Sequence, residues 1–109
     1  MKKIALVYTL VSSHAEARDL AKDIIQKRYA GCVNIFPCQS IYEWDHQIQE
    51  TDEWALLIKT SSAKSKIIFS YLTEKHPYQI PCILCSDQVS ALEPFAHWID
   101  QKARDEREK

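Results

Sequence analysis

Residues Lys3 to Val11 (KIALVYTLV) are apolar at both odd and even positions, the pattern of a strand covered on both faces. Ser13-His14-Ala15-Glu16 follows as a capping box, in which the serine oxygen accepts a helix amide and the glutamate reaches back. The helix behind it places Ala17, Leu20, Ala21, Ile24 and Ile25 on one stripe. Lys27 and Arg28 fall in its last turn, where the dipole favours cations, and Gly31 is placed to supply a left-handed cap. Cys32 to Trp44 is rich in β-formers and predicts a second strand, with Pro37 marking a bend, a bulge or an edge. Asp45-His46-Gln47 predicts a turn, and Trp54 to Lys59 a buried strand. The polar, acidic stretch Gln49 to Glu53 between them predicts hairpin arms reaching into solvent or towards a partner.

Ser61 or Ser62 can cap a second helix with Ala63, Ile67, Ile68, Tyr71 and Leu72 inward. His76-Pro77 ends it, because the residue before proline avoids helical angles. Ile80 to Ser86 predicts a short last strand. Ser90 to Lys102 predicts a third helix with Pro94 near its start and Leu92, Phe95, Trp98 and Ile99 inward. From Asp100 onward, acid and base alternate as on a solvated helix end. The order β-α-β-β-α-β plus a helix predicts one α+β domain over residues 1–109. Its fold is ferredoxin-like, an antiparallel sheet with both main helices on one face. One small third helix cannot hide the other face, so oligomerisation is expected.

The chain's 109 residues suffice for one core without staples. A formal net charge of -1 gives no footprint for nucleic acid or an anionic membrane, and no apolar run approaches bilayer length. Gly31 is the only glycine, which excludes the Gly-rich phosphate loops of P-loop and dinucleotide-binding proteins. The start Met1-Lys2-Lys3-Ile4 lacks a small-residue cleavage site, so a cytoplasmic location is expected, with reduced thiols at Cys32, Cys38, Cys82 and Cys85.

Cys82-x-x-Cys85 invites a metal or redox reading. In an extended strand, however, residues three apart point to opposite faces. A redox pair also sits at a helix N-terminus, which is not expected here. Cys32 and Cys38 share strand parity but lie roughly 20 Å apart at about 3.3 Å per residue. His76 can offer imidazole to a soft or borderline metal, with Tyr78 nearby, or can fix its turn by hydrogen bonds. Tyr42, Trp44 and Trp54 form an aromatic set open to cross-strand pairing, subunit contact or ligand stacking. Lys59 ends a buried strand, where an anion in a cleft or a salt bridge to Glu43, Glu50 or Glu53 would use it.

Four segments in register resemble the CutA divalent-cation tolerance family: Tyr29-Ala30-Gly31-Cys32-Val33-Asn34-Ile35-Phe36-Pro37, Ser40-Ile41-Tyr42-Glu43-Trp44, Ile58-Lys59-Thr60 and His76-Pro77-Tyr78. The resemblance implies a homotrimer like that of the PII signalling proteins, with hairpins pairing across subunits. It also implies copper or another divalent cation, no organic cofactor, and a role in cation tolerance or signalling. The family's copper ligands, a first-strand cysteine and a His-His pair before the H-P-Y proline, correspond here to Thr9 and Lys75-His76. Only His76 is retained of that set.

Three other functions are disfavoured. A metallochaperone needs Cys-x-x-Cys in the loop after the first strand, where Leu10-Val11-Ser12-Ser13-His14 has none. An acylphosphatase-type hydrolase needs an arginine there. An RNA-binding sheet needs a basic surround. Because the family-like residues cluster at strand ends and the hairpin, the resemblance implies an intersubunit site around Cys32, Lys59, His76 and Tyr78 with the Tyr42–Trp54 hairpin, and no catalysis is expected.

Overall fold

The computed structural model describes residues 1–104. Seven elements run in the order β1 (Lys2–Val11), α1 (His14–Gln26), β2 (Cys32–Trp44), β3 (Gln47–Thr60), α2 (Ser62–Lys75), β4 (Ile83–Ala91) and α3 (Glu93–Lys102). The strands form one sheet in the order β2-β3-β1-β4, with every neighbouring pair antiparallel. This is the ferredoxin-like arrangement expected of the sequence.

Alternation along β1 divides the core between the two faces of the sheet. Val7 and Val11 join Leu56, Ile58, Ile68, Leu72, Ala17, Ala21 and Ile24 beneath α1 and α2. Ile4, on the opposite face, packs with Ala96 and Ile99 of α3, flanked by Leu6, Cys32, Val89 and Ala91. Helix α3 covers only the Ile4–Leu6 end of its face. Cys32, at the inner end of the hairpin, shares that cover, whereas Tyr8, Leu10 and the outer hairpin stand outside this cluster.

Helix starts follow local chemistry. Ser13 Oγ accepts from Glu16 N at 3.1 Å, and Ser61 Oγ accepts from Lys64 N at 3.3 Å. The expected reciprocal half of the first box is replaced, since the Glu16 carboxylate accepts from Ser12 Oγ at 2.9 Å. Arg28, with φ 60°, takes the left-handed position after α1. Gly31 does not supply that cap. It is required by space, since a Cβ there would lie 2.8 Å from Ile99 Cδ1 and 3.1 Å from Ile99 Cα.

Strand β2 covers the expected residues, and Pro37 sits in it without a break because β2 is an edge strand. The β2–β3 hairpin closes through Asp45 and His46, both left-handed at φ 52° and 63°, as a two-residue turn matching strand twist requires. Its ladder runs unbroken from Trp44↔Gln47 to Cys32↔Lys59.

Several expectations are corrected. Strand β3 starts at Gln47, because the polar arm pairs fully with β2. Strand β4 spans Ile83–Ala91 instead of Ile80–Ser86, since β1 offers partners as far back as Lys2. Helix α3 accordingly begins at Glu93. Ile25, Ala63, Ile67, Leu92, Phe95 and Trp98 are exposed, not inward. Two narrow helix faces and a short third helix seat only the residues at their centres. The expectation for a charged tail lies mostly in 105–109, outside the described residues.

Candidate functional site

Residues 76–82 fold back from the end of α2 across the sheet edge, and His76 fixes how they do so. It is buried, its Nε2 donates to Leu10 O at 2.6 Å, and its Nδ1 accepts from Tyr78 N at 3.1 Å. Together these bonds define one neutral tautomer. They also set the His76 and Tyr78 rings edge to face, with centroids 4.8 Å apart. The segment is tied down again at Cys82, whose carbonyl accepts from the fully buried Thr9 hydroxyl at 2.7 Å.

This fold-back and the hairpin form the walls of a cleft of about 630 Å³. It is lined by Leu10 from β1, Ser40, Tyr42 and Trp44 from β2, Gln49 and Glu53 from β3, and Tyr78, Gln79, Ile80 and Cys82. Strand parity explains the set. Ser40, Tyr42 and Trp44 alternate onto one face of β2, and Gln49 and Glu53 meet that face across the register pairs Tyr42↔Gln49 and Cys38↔Glu53. At the centre, the Glu53 carboxylate accepts from Ser40 Oγ at 2.8 Å and, more loosely, from the Tyr78 hydroxyl at 3.4 Å.

The electrostatics centre on that carboxylate. Burial, with the Glu53 charge and hydrogen bond behind it, pushes the Tyr78 phenol up to about 12. Burial and then Glu53 also push the Cys82 thiol up, which favours thiol over thiolate. Tyr8 rises in the same way, chiefly by burial and then through Cys38, Cys82 and Glu53. Among the described residues, no Lys, Arg or His lines the cleft.

The sequence-expected residues are thus divided. Tyr42, Trp44 and Tyr78 come together in the cleft, and His76 supports it from behind. Trp54, one residue from Glu53 in β3, points to the opposite face, where it packs on the helix-side core and meets the His14 ring at 4.6 Å. Cys32 and Lys59 pair at the far end of the hairpin beside α3. Cys32 packs there against Ile4 and Ile99. The Lys59 ammonium lies 5.6 Å from the Phe95 ring centroid, so the salt bridge expected to Glu43, Glu50 or Glu53 is replaced by a cation–π contact. Ser40 and Cys82 were missed as lining residues, and Glu53 was weighed only as a partner for Lys59. The parity of Ser40 with Tyr42 and Trp44 was the available signal.

The metal ion implied by the family resemblance does not fit these residues. Thr9 spends its hydroxyl on Cys82 O, Lys75 is a cation, and both His76 nitrogens are committed. A metal role for His76 would require breaking one of the bonds that hold the fold-back. Among the described residues, no three His, Cys, Asp or Glu side chains gather as a metal site. The four cysteines are free thiols. Cys82 lies just before β4 and Cys85 within it, exposed.

Comparison with known proteins agrees with the fold and the matched motifs. The family model for the CutA1 divalent ion tolerance protein matches residues 5–102. A divalent-cation tolerance protein CutA from Archaeoglobus fulgidus is 35% identical over 95 residues, covering 87% of this chain and 93% of that protein. Protein CutA of Mus musculus is 28% identical over 99 residues, and there the chain spans 56% of its relative's length and the match 90% of this chain. The crystal structure of divalent ion tolerance protein CutA1 from Ehrlichia chaffeensis superposes with a TM-score of 0.89 at 27% identity, covering 95% of this chain and 98% of that one. With the strand order, the matched span and these relatives in agreement, the chain belongs to the CutA1 divalent ion tolerance protein family.

Proposed function

We propose that the chain serves divalent-cation tolerance as a homotrimeric, non-enzymatic binding and signalling module, with the hairpin cleft as its ligand site. The observation that carries this reading is the Glu53 carboxylate, held by Ser40 and Tyr78 inside a cleft of about 630 Å³ with aromatic walls. Volume, apolar lining and a few convergent polar groups are the features of a small-ligand site. The trimer is supported by apolar side chains that one subunit cannot cover. Ile41 (63% exposed) and Ile48 (70%) lie at the hairpin tip on one face of the sheet, and Leu84 (59%) of β4 and Leu92 (73%) before α3 are exposed elsewhere.

Direct copper coordination is the less favoured route to cation tolerance here, because Thr9 and His76 already spend their donors within the fold. A PII-like module that binds a small ligand without a resident metal uses the same cleft and leaves those bonds intact. Native mass spectra of the reduced protein with and without Cu(II) and Zn(II) test the reading. The expected result is a trimer retaining no fixed complement of either ion. One tightly held ion per subunit would replace the small-ligand site with a metal site, and a monomer would remove the assembly.

A further inference from the structure

We infer that the hairpin cleft takes an organic cation, an ammonium group on a flat apolar body, with the Glu53 carboxylate as its counter-ion. This rests on the reading of the cleft as the ligand site and adds the chemical class of what enters it.

The charge inventory decides the sign. Among the described residues of one subunit, Glu53 is the one charged residue lining the cleft, with no Lys, Arg or His beside it. A phosphate or carboxylate ligand would meet a like charge with no lining cation to neutralise either, which disfavours it there. A cation meets the opposite situation. Each carboxylate oxygen accepts more than one hydrogen bond, and Ser40 and Tyr78 supply one apiece. Acceptor capacity therefore remains for an N–H donor from the cavity. The Ser40 bond at 2.8 Å also fixes the carboxylate in place, so less freedom is lost when a ligand binds.

The walls decide the rest of the ligand. Tyr42 and Trp44 follow Ser40 at alternate positions of β2 and so share its face, which is the face of Glu53. Their rings offer the electron-rich surfaces that attract organic cations, and Leu10 and Ile80 add apolar area for the body that carries the charge. A bare divalent ion is served less well. It needs several oxygen or thiolate donors, whereas the cleft offers one carboxylate and a Cys82 thiol whose ionisation is opposed by burial and by Glu53.

Three probes of matched shape separate the possibilities on the full-length protein: phenethylammonium, 2-phenylethanol and 3-phenylpropionate. Binding is read by titration calorimetry and by backbone amide shifts at Gln49, Glu53 and Tyr78. Phenethylammonium should move all three amides and bind roughly ten-fold or more tightly than the alcohol, with the carboxylate weakest. Glu53→Gln keeps the side-chain shape and an oxygen for Ser40, and should abolish the ammonium's advantage while the alcohol binds as before. An ammonium no tighter than the alcohol overturns the cation assignment and leaves the cleft as a binding site. So does an advantage that survives Glu53→Gln, or a carboxylate that binds best. Absence of cleft shifts with all three probes overturns the cleft reading as well.

Discussion

The two halves of the β2–β3 hairpin are made of the same two strands, yet they live in different surroundings. In the inner half, Leu56 and Ile58 are fully buried beneath α1 and α2, and Cys32 packs against α3. In the outer half, Ile41, Trp44 and Ile48 are at least half exposed and no helix lies over them. Both halves keep an unbroken ladder, so backbone pairing alone does not distinguish them. The difference is what the side chains face. The inner half stabilises the subunit, and the outer half offers surface to a ligand or another subunit.

Substitutions should separate these roles. The largest effect belongs to the inner layer. Leu72→Ala, at a fully buried position, should cost about 2–5 kcal/mol in a denaturant melt, because transfer and cavity terms add. A loss under about 1 kcal/mol would mean that the core collapses around the gap. Gly31→Ala should come next, at about 1–3 kcal/mol, since its Cβ would meet Ile99 at both Cδ1 and Cα and must push α3 off the sheet.

The cleft should show a pH signature. The Tyr78 phenol is raised from its ordinary 10.0 to about 12, so the folded state favours the neutral form. That contribution is complete below pH 10 and is lost as pH rises through 12. Tyr78→Phe should therefore flatten the alkaline decline of stability over that window, and an unchanged slope would remove Tyr78 from the cause. The smallest effect on the subunit is expected at the tip. Ile48→Ser should alter monomer stability by no more than about 0.5 kcal/mol while weakening assembly in sedimentation runs. Equal effects on both would erase the distinction between the halves.

Local features were the most legible in the sequence. The Ser13 cap, a second cap at Ser61 or Ser62, the helix end at His76-Pro77, the strand Cys32–Trp44 and its Asp45-His46 turn are all readable, because each depends on chemistry within a few residues. The extent of β4 and the start of α3 depend instead on how far β1 offers partners, which no local pattern records. Apolar residues such as Ile67, Leu92 and Trp98 were read as inward by their type, but only one narrow face of each helix meets the sheet. The cleft was half legible. Tyr42, Trp44 and Tyr78 stood out, whereas the central role of Glu53 needed residues 76–82 to fold back over the hairpin. His76 was singled out, but whether it would bind a metal or fix a turn depended on Leu10 O, 66 positions away in the chain.

The strand order also sets a timetable for synthesis. Strand β1 leaves the ribosome before the other three strands, and both its neighbours are encoded later, β3 ending at Thr60 and β4 at Ala91. The hairpin can zip about its own turn as soon as it emerges, while the apolar β1 waits. A chain halted before Ile83 would hold β2, β3 and β1 with one side of β1 open, and an open apolar edge recruits strands from other chains. Strand β4 therefore shields β1, the earliest of the four strands, and a chain terminated ahead of β4 carries a risk of aggregation.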